Sequence, residues 1–282
     1  MRQVAIQLTS TRDDQRSTTQ ERAFDQCPSR VAAFGVGQRL IHLIFLGTRS
    51  FEIGVGMFPD RLTQGYQSFL GGRFQSERQR YETLAERGQK PEILIFGCVD
   101  SRVSPEVIFD AAPGELLVVR NVANLVPPYE PDREFQHGTS AALEFGVQAL
   151  RVKHIVVLGH ALCGGIRAFA DEMEPLSPGD FIGRWMSQIE PAARGLGPRT
   201  PGDDLVYRQR LEFASVELSL RNLMTFPCVQ ILVARGKLRL HGAYFGVSSG
   251  RLLVRDPETG TFEPVDEGKA SPLAMLRCEE EG

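Results

Sequence analysis

The chain has 282 residues, of which 42% are hydrophobic and 24% charged, with a formal net charge of −3. That length can bury a full core, as one large α/β domain or two small ones, and the composition excludes a chain disordered throughout. The charge argues against a nucleic-acid or anionic-membrane binder that works by bulk charge, and the apolar run around Leu43 to Leu46 is far too short to span a bilayer.

Residues 1–56 are rich in Gln, Arg, Thr and Ser up to about Ser29, then carry a short apolar stretch near Ile41 to Leu46. They lack the pattern of a secretory signal. We read them as a loosely ordered extension, with translation expected to start at Met57. From there to Asp256 strand-like and helix-like stretches alternate. Tyr66 to Glu86 reads as a polar helix. Glu92 to Cys98 is a continuous apolar run, as in a buried parallel strand. Ser104-Pro105 offers an N-cap followed by proline at the first helical position. Leu116 to Val119 is a second buried strand. Thr139 is placed to cap a helix with Leu143, Val147 and Leu150 on one face. His154 to Gly159 is a third strand. Asp203 to Met224 is a long helix, and Val229 to Val233 reads as a fourth strand. Leu238 to Val254 reads as a hairpin turning at Ser248-Ser249-Gly250. The expected fold is α/β: a central, mainly parallel sheet flanked by helices, with an antiparallel edge hairpin. Residues 257–282 read as a polar surface tail.

The five cysteines, at 27, 98, 163, 228 and 278, are odd in number and irregularly spaced. That suits a reducing compartment rather than a disulfide scaffold, and the expected location is the cytoplasm. Two segments carry chemistry, each directly after a predicted strand: Cys98-Val99-Asp100-Ser101-Arg102 and Gly159-His160-Ala161-Leu162-Cys163-Gly164-Gly165. Ligands of α/β sheets bind beyond the carboxyl ends of the strands, so Cys98, His160 and Cys163 can converge. Two thiolates and an imidazole suit Zn²⁺, and a set of three leaves the fourth position open, as in a catalytic site. Asp100 can serve a water there or close the site itself; Arg102 can hold Asp100 away from the metal in a bidentate pair. The plainer reading of that pair is a loop-stabilising ion bridge.

With Pro113-Gly114-Glu115, Val118 to Tyr129, Ser140 to Phe145 and Leu240-His241-Gly242, these motifs resemble the plant-like branch of the β-class carbonic anhydrases. The resemblance covers Met57 to Asp256 and implies the fold of that family. It implies that Cys98, His160 and Cys163 hold one zinc ion per chain, with Asp100 as the ligand of closed forms, and that Asp100 and Arg102 form a catalytic dyad. It implies that Gln89 binds bicarbonate, that Gly164 presents its amide to the site, and that Leu117 and Phe145 belong to an apolar substrate wall, part of it crossing a dimer interface. Leu117 and Phe145 stand where that branch carries phenylalanine and tyrosine. The implied activity is zinc-dependent, reversible hydration of CO₂ to bicarbonate and a proton, in a homodimer or homotetramer with neither nucleic-acid nor membrane partners. Trp185 lies too far downstream for the allosteric bicarbonate pocket of the other branch. Two alternatives stand: hydrolysis of carbonyl sulfide or carbon disulfide on the same fold, and a non-catalytic, zinc-stabilised binding protein with Asp100 as permanent fourth ligand.

Overall fold

Strand β1 (Ile93–Cys98) is buried at every position after the first, so both of its faces must be covered and it sits inside the sheet. The computed structural model describes residues 58–131 and 137–265, and the fold belongs to the unit spanning residues 61–282. Residues 1–57 and 266–282, including the expected extension, start site, Cys27, Cys278 and most of the tail, lie outside the described residues.

Parallel neighbours flank β1. One is β2 (Leu116–Asn121), with Leu94 opposite Leu117 and Cys98 opposite Asn121. The other is β3 (His154–His160), with Phe96 opposite Val157. Beyond β3 lies β4 (Arg239–Phe245), also parallel. Then β5 (Leu252–Arg255) and β6 (Phe262–Pro264) add two antiparallel edge strands. The order β2-β1-β3-β4-β5-β6 is α/β with a mainly parallel centre. The expected hairpin is β4 and β5. Strand β6 continues the sheet past Pro257, where the sequence offers only a three-residue strand on an edge.

The helices are α1 (Asp60–Gly71), α2 (Arg73–Arg87), α3 (Pro105–Ile108), α4 (Gly138–Glu144), α5 (Gly164–Ala170), α6 (Phe181–Met186), α7 (Glu190–Leu196), α8 (Asp204–Leu223) and α9 (Pro227–Ala234). The polar run from Tyr66 to Glu86 is two helices broken at Gly72, and neither buries a residue. Ser104-Pro105 starts α3 as expected. Thr139 is not a cap: it lies inside α4, buried, and its hydroxyl accepts from Asn121 Nδ2 at 3.3 Å. A π-helical turn, Phe145–Leu150, completes that segment.

The expected strand Val229 to Val233 is helix α9. Pro227 supplies its first residue, and burial follows a helical rather than an alternating period. Val229 is buried, Leu232 and Val233 pack on the core, and Ile231 between them is 49% exposed. One face of the sheet packs Leu94, Phe96, Ile155 and Val157 against Leu143, Val147, Val216, Leu223 and Val229. The other carries Ile95, Leu158 and Ala243, with Ile108 and Phe109 packed against them. Among the described residues no helix is long and apolar enough to cross a membrane.

The connection from β1 to β2 runs to one side of β1 and the return to β3 lies on the other. The carboxyl ends of β1 and β3 therefore form a topological switch point, where an open α/β sheet splays its loops and leaves a crevice.

Candidate metal centre

Cys98 is the last residue of β1 and His160 the last of β3, so the switch point itself brings them together. After His160 the chain is held to β4 by the Ala161 amide donating to the Phe245 carbonyl at 2.9 Å. It then turns through Leu162 at φ 59. A non-glycine residue there stores about 1–3 kcal/mol of strain and persists only where its surroundings overdetermine it. The turn delivers Cys163, extended, at the N-cap position of α5. Its sulfur faces the backbone amides of Gly165 and Ile166.

The ligand atoms of Cys98, His160 and Cys163 lie within 4.8 Å of one another. The three residues are 4%, 1% and 2% exposed. His160 Nδ1 donates to the Ala161 carbonyl at 2.9 Å, which leaves the Nε2 lone pair for the cluster. That Nε2 is buried and has no hydrogen-bond partner. The thiols compete for a proton. The hydrogen bond from Cys163 holds Cys98 far below an ordinary thiol, while the same contact and burial push Cys163 up. Burial opposes a charged His160, but Cys98, the Ala161 carbonyl and the Asp100 charge together raise its pKa. Buried, proton-sharing sulfurs beside an orphaned imidazole nitrogen are a donor set that a divalent cation satisfies. The residues present fit a metal, and the fit is best for one that accepts mixed sulfur and nitrogen ligands.

Asp100 stands outside this triad, with both oxygens engaged by Arg102. Oδ1 accepts from Nε at 2.9 Å and from the Arg102 amide at 3.0 Å, and Oδ2 accepts from Nη2 at 2.7 Å. These bonds hold the carboxylate well below its usual range, despite the opposing pull of burial. Arg102 Nη2 also reaches the Leu162 carbonyl at 3.2 Å, tying the first loop to the second.

The supporting residues escaped the sequence reading. Arg120 of β2 donates to the carbonyls of Cys98, at 2.8 Å, and Asp100, at 2.6 Å. Glu212 of α8 accepts from the Cys163 amide at 3.0 Å and from the Tyr244 hydroxyl at 2.6 Å. Trp185 Nε1 donates to the Val122 carbonyl at 2.7 Å, a packing role. Gly165 is fixed by close approach: a Cβ there would meet Val122 Cγ1 at 2.8 Å and Met186 Sδ at 3.1 Å. One on Gly164, the first residue of α5, would meet nothing within 4 Å.

Three expected site residues are not gathered with the others in the single chain. Gln89 is exposed and precedes β1, at the opposite end of that strand from Cys98. Leu117 faces Leu94 in the sheet and packs on the core. Phe145 is 49% exposed at the start of the π-helical turn.

A Cys-His-Cys cluster that could hold a metal ion, flanked by an Asp–Arg pair at the switch point of a mainly parallel sheet, is the layout of an α/β enzyme site. The family model for carbonic anhydrase matches residues 93–252. Beta carbonic anhydrase 3 of Arabidopsis thaliana is 34% identical over 197 residues, 68% of this chain and 74% of that protein. The solved β-carbonic anhydrase CcaA superposes with a TM-score of 0.66 at 29% identity, covering 74% of this chain and 92% of that one. Two tetrameric β-carbonic anhydrases of the ascomycete Sordaria macrospora are represented by a structure with a TM-score of 0.60 at 29% identity, covering 72% of this chain and 98% of that one. The chain belongs to the β-class carbonic anhydrases.

Proposed function

We propose that the chain is a zinc-dependent carbonate dehydratase, catalysing the reversible hydration of CO₂ to bicarbonate and a proton. The observation that carries this is the convergence of Cys98, His160 and Cys163 within 4.8 Å beside an Asp100 already claimed by Arg102. The three residues would hold one zinc ion per chain. Zinc supplies Lewis acidity, lowering the pKa of a water it binds from 15.7 to about 7.

The chain's own residues do the rest. Each oxygen of an ionised carboxylate offers two acceptor sites, so Asp100 keeps capacity to orient an attacking oxygen while Arg102 occupies the others. Arg102 keeps Asp100 ionised and turned away from the cluster, which favours an open fourth position over a closed one. That also speaks against a binding protein with Asp100 as permanent ligand. Gly164 would turn its amide toward the bound anion.

Gln89, Leu117 and Phe145 would serve the site of a second copy, as bicarbonate donor and apolar wall. Support comes from α1 and α2, which bury nothing within the chain, and from exposed Leu62, Tyr66 and Phe145. The assembly we propose is a homodimer or homotetramer, in a reducing compartment such as the cytoplasm, where the free thiols of Cys98 and Cys163 persist. The test is turnover of CO₂ against carbonyl sulfide by zinc-loaded protein. Fast CO₂ hydration is expected; turnover of carbonyl sulfide alone would transfer the site to sulfur substrates.

A further inference from the structure

Glu212 is the only acidic residue among the described residues that the fold buries, at 4% exposure. Nothing in the reaction uses it, and burial raises the pKa of its carboxyl. A buried carboxyl needs hydrogen-bond partners, and Glu212 has them: Oε1 takes the Cys163 amide at 3.0 Å, and Oε2 takes the Tyr244 hydroxyl at 2.6 Å.

The amide that Glu212 holds belongs to a peptide group gripped at its other end as well. The carbonyl of that group is Leu162 O, which accepts from Arg102 Nη2 at 3.2 Å. A peptide group is planar, so fixing its oxygen and its N–H fixes its plane. The plane sets the torsion leaving Leu162 and the one entering Cys163, and with them the direction of the Cys163 side chain. This is also the residue pair at which the backbone takes the left-handed value at Leu162. Left to itself the turn would relax; gripped from both sides it cannot.

We propose that Glu212 is a positioning residue for the metal centre. With Arg102 it clamps the Leu162–Cys163 peptide, aims the Cys163 sulfur at the cation, and holds Arg102 in register on Asp100. Tyr244 keeps the Glu212 carboxyl from swinging away. The clamp links two parts that sequence alone keeps separate, the sulfur ligand and the Asp100–Arg102 pair. The inference rests on the zinc reading above and extends it to the residues behind the ligands. Partners of this kind typically contribute 10–100-fold to metal affinity or activity.

The test uses zinc-loaded full-length wild type, Glu212→Ala, Glu212→Gln and Tyr244→Phe. The readouts are the rate at which an excess of a chelating dye strips the zinc, and the thiolate-to-metal band of the cobalt(II)-substituted proteins. Glu212→Ala is expected to release zinc 10–100-fold faster and to shift the cobalt band. Glu212→Gln keeps an oxygen for the Cys163 amide and is expected to stay close to wild type. Zinc release at the wild-type rate with an unchanged cobalt band in Glu212→Ala would overturn the proposal. If that variant fails to fold, Tyr244→Phe carries the test: faster release supports the clamp, and an unchanged rate overturns it. A wild-type chain that takes up no zinc would overturn the functional reading itself, and the clamp with it.

Discussion

Arg102 grips Asp100 as a fork, with Nε on one carboxylate oxygen at 2.9 Å and Nη2 on the other at 2.7 Å. The geometry needs a planar guanidinium and cannot be reproduced by an ammonium point charge. Arg102→Lys is therefore expected to keep its zinc but lose 10–100-fold in kcat/KM for CO₂. Stopped-flow kinetics beside a zinc assay checks this. A wild-type rate in the variant would reduce the pair to a tie between loops.

Arg120 braces the same loop from the neighbouring strand, by way of two backbone carbonyls. Arg120→Ala removes a donor from both oxygens: the Cys98 carbonyl loses it at a part-buried position, while the exposed Asp100 carbonyl still accepts from the Val103 amide at 3.2 Å. The expected cost is about 1–3 kcal/mol, read from the urea midpoint. Activity should fall too, since the loop carries Asp100. Unchanged stability would show that water replaces the guanidinium freely.

Gly165 and Gly164 are adjacent and should respond oppositely. Alanine at 165 drives a methyl group against Val122, Met186 and Ala123, and the expected loss is about 1–3 kcal/mol. Alanine at 164 enters open space and should change stability by less than about 0.5 kcal/mol. Equal effects in denaturant unfolding would contradict the packing described.

At the other end of the sheet His154 Nδ1 and His241 Nε2 lie 3.0 Å apart. Burial, then the charges of His154 and Arg239, push His241 down to about 4. Burial, then Arg239, lowers His154, with Lys153 adding to this and Glu92 opposing it. The unfolded chain titrates its histidines near 6.5, so between that pH and about 4 it binds more protons than the folded one. The contribution of His241 to stability is thus complete above about pH 6.5 and is lost as pH falls, at up to about 1.4 kcal/mol per pH unit. His241→Asn should flatten the variant's own stability curve over that range, so that the gap between wild type and variant changes with pH. Parallel curves from pH 7 to 4 would refute it.

The strand-end cluster was legible because β1 and β3 are short continuous apolar runs, and Cys98 and His160 fall on their last residues. The Asp100–Arg102 pair was legible because its partners are two residues apart. Arg120 and Glu212 were not, since their contacts span 22 and 49 residues and depend on strand order and on the seating of α8. Helix α9 was misread because its β-branched apolar run imitates a buried strand. The proline at its start was the stronger signal, and the exposure of Ile231 between buried Val229 and half-buried Leu232 shows the helical period. Gln89, Leu117 and Phe145 came from family likeness alone, and one chain does not gather them.

The most direct test of the central claim is stopped-flow CO₂ hydration by zinc-loaded protein from about pH 6.5 to 9, with Asp100→Asn alongside; metal-activated water has its pKa near 7. The account predicts turnover that rises with pH in the wild type and falls sharply in the variant while zinc is retained. Wild-type protein with one zinc per chain and no CO₂ turnover at any pH would contradict it.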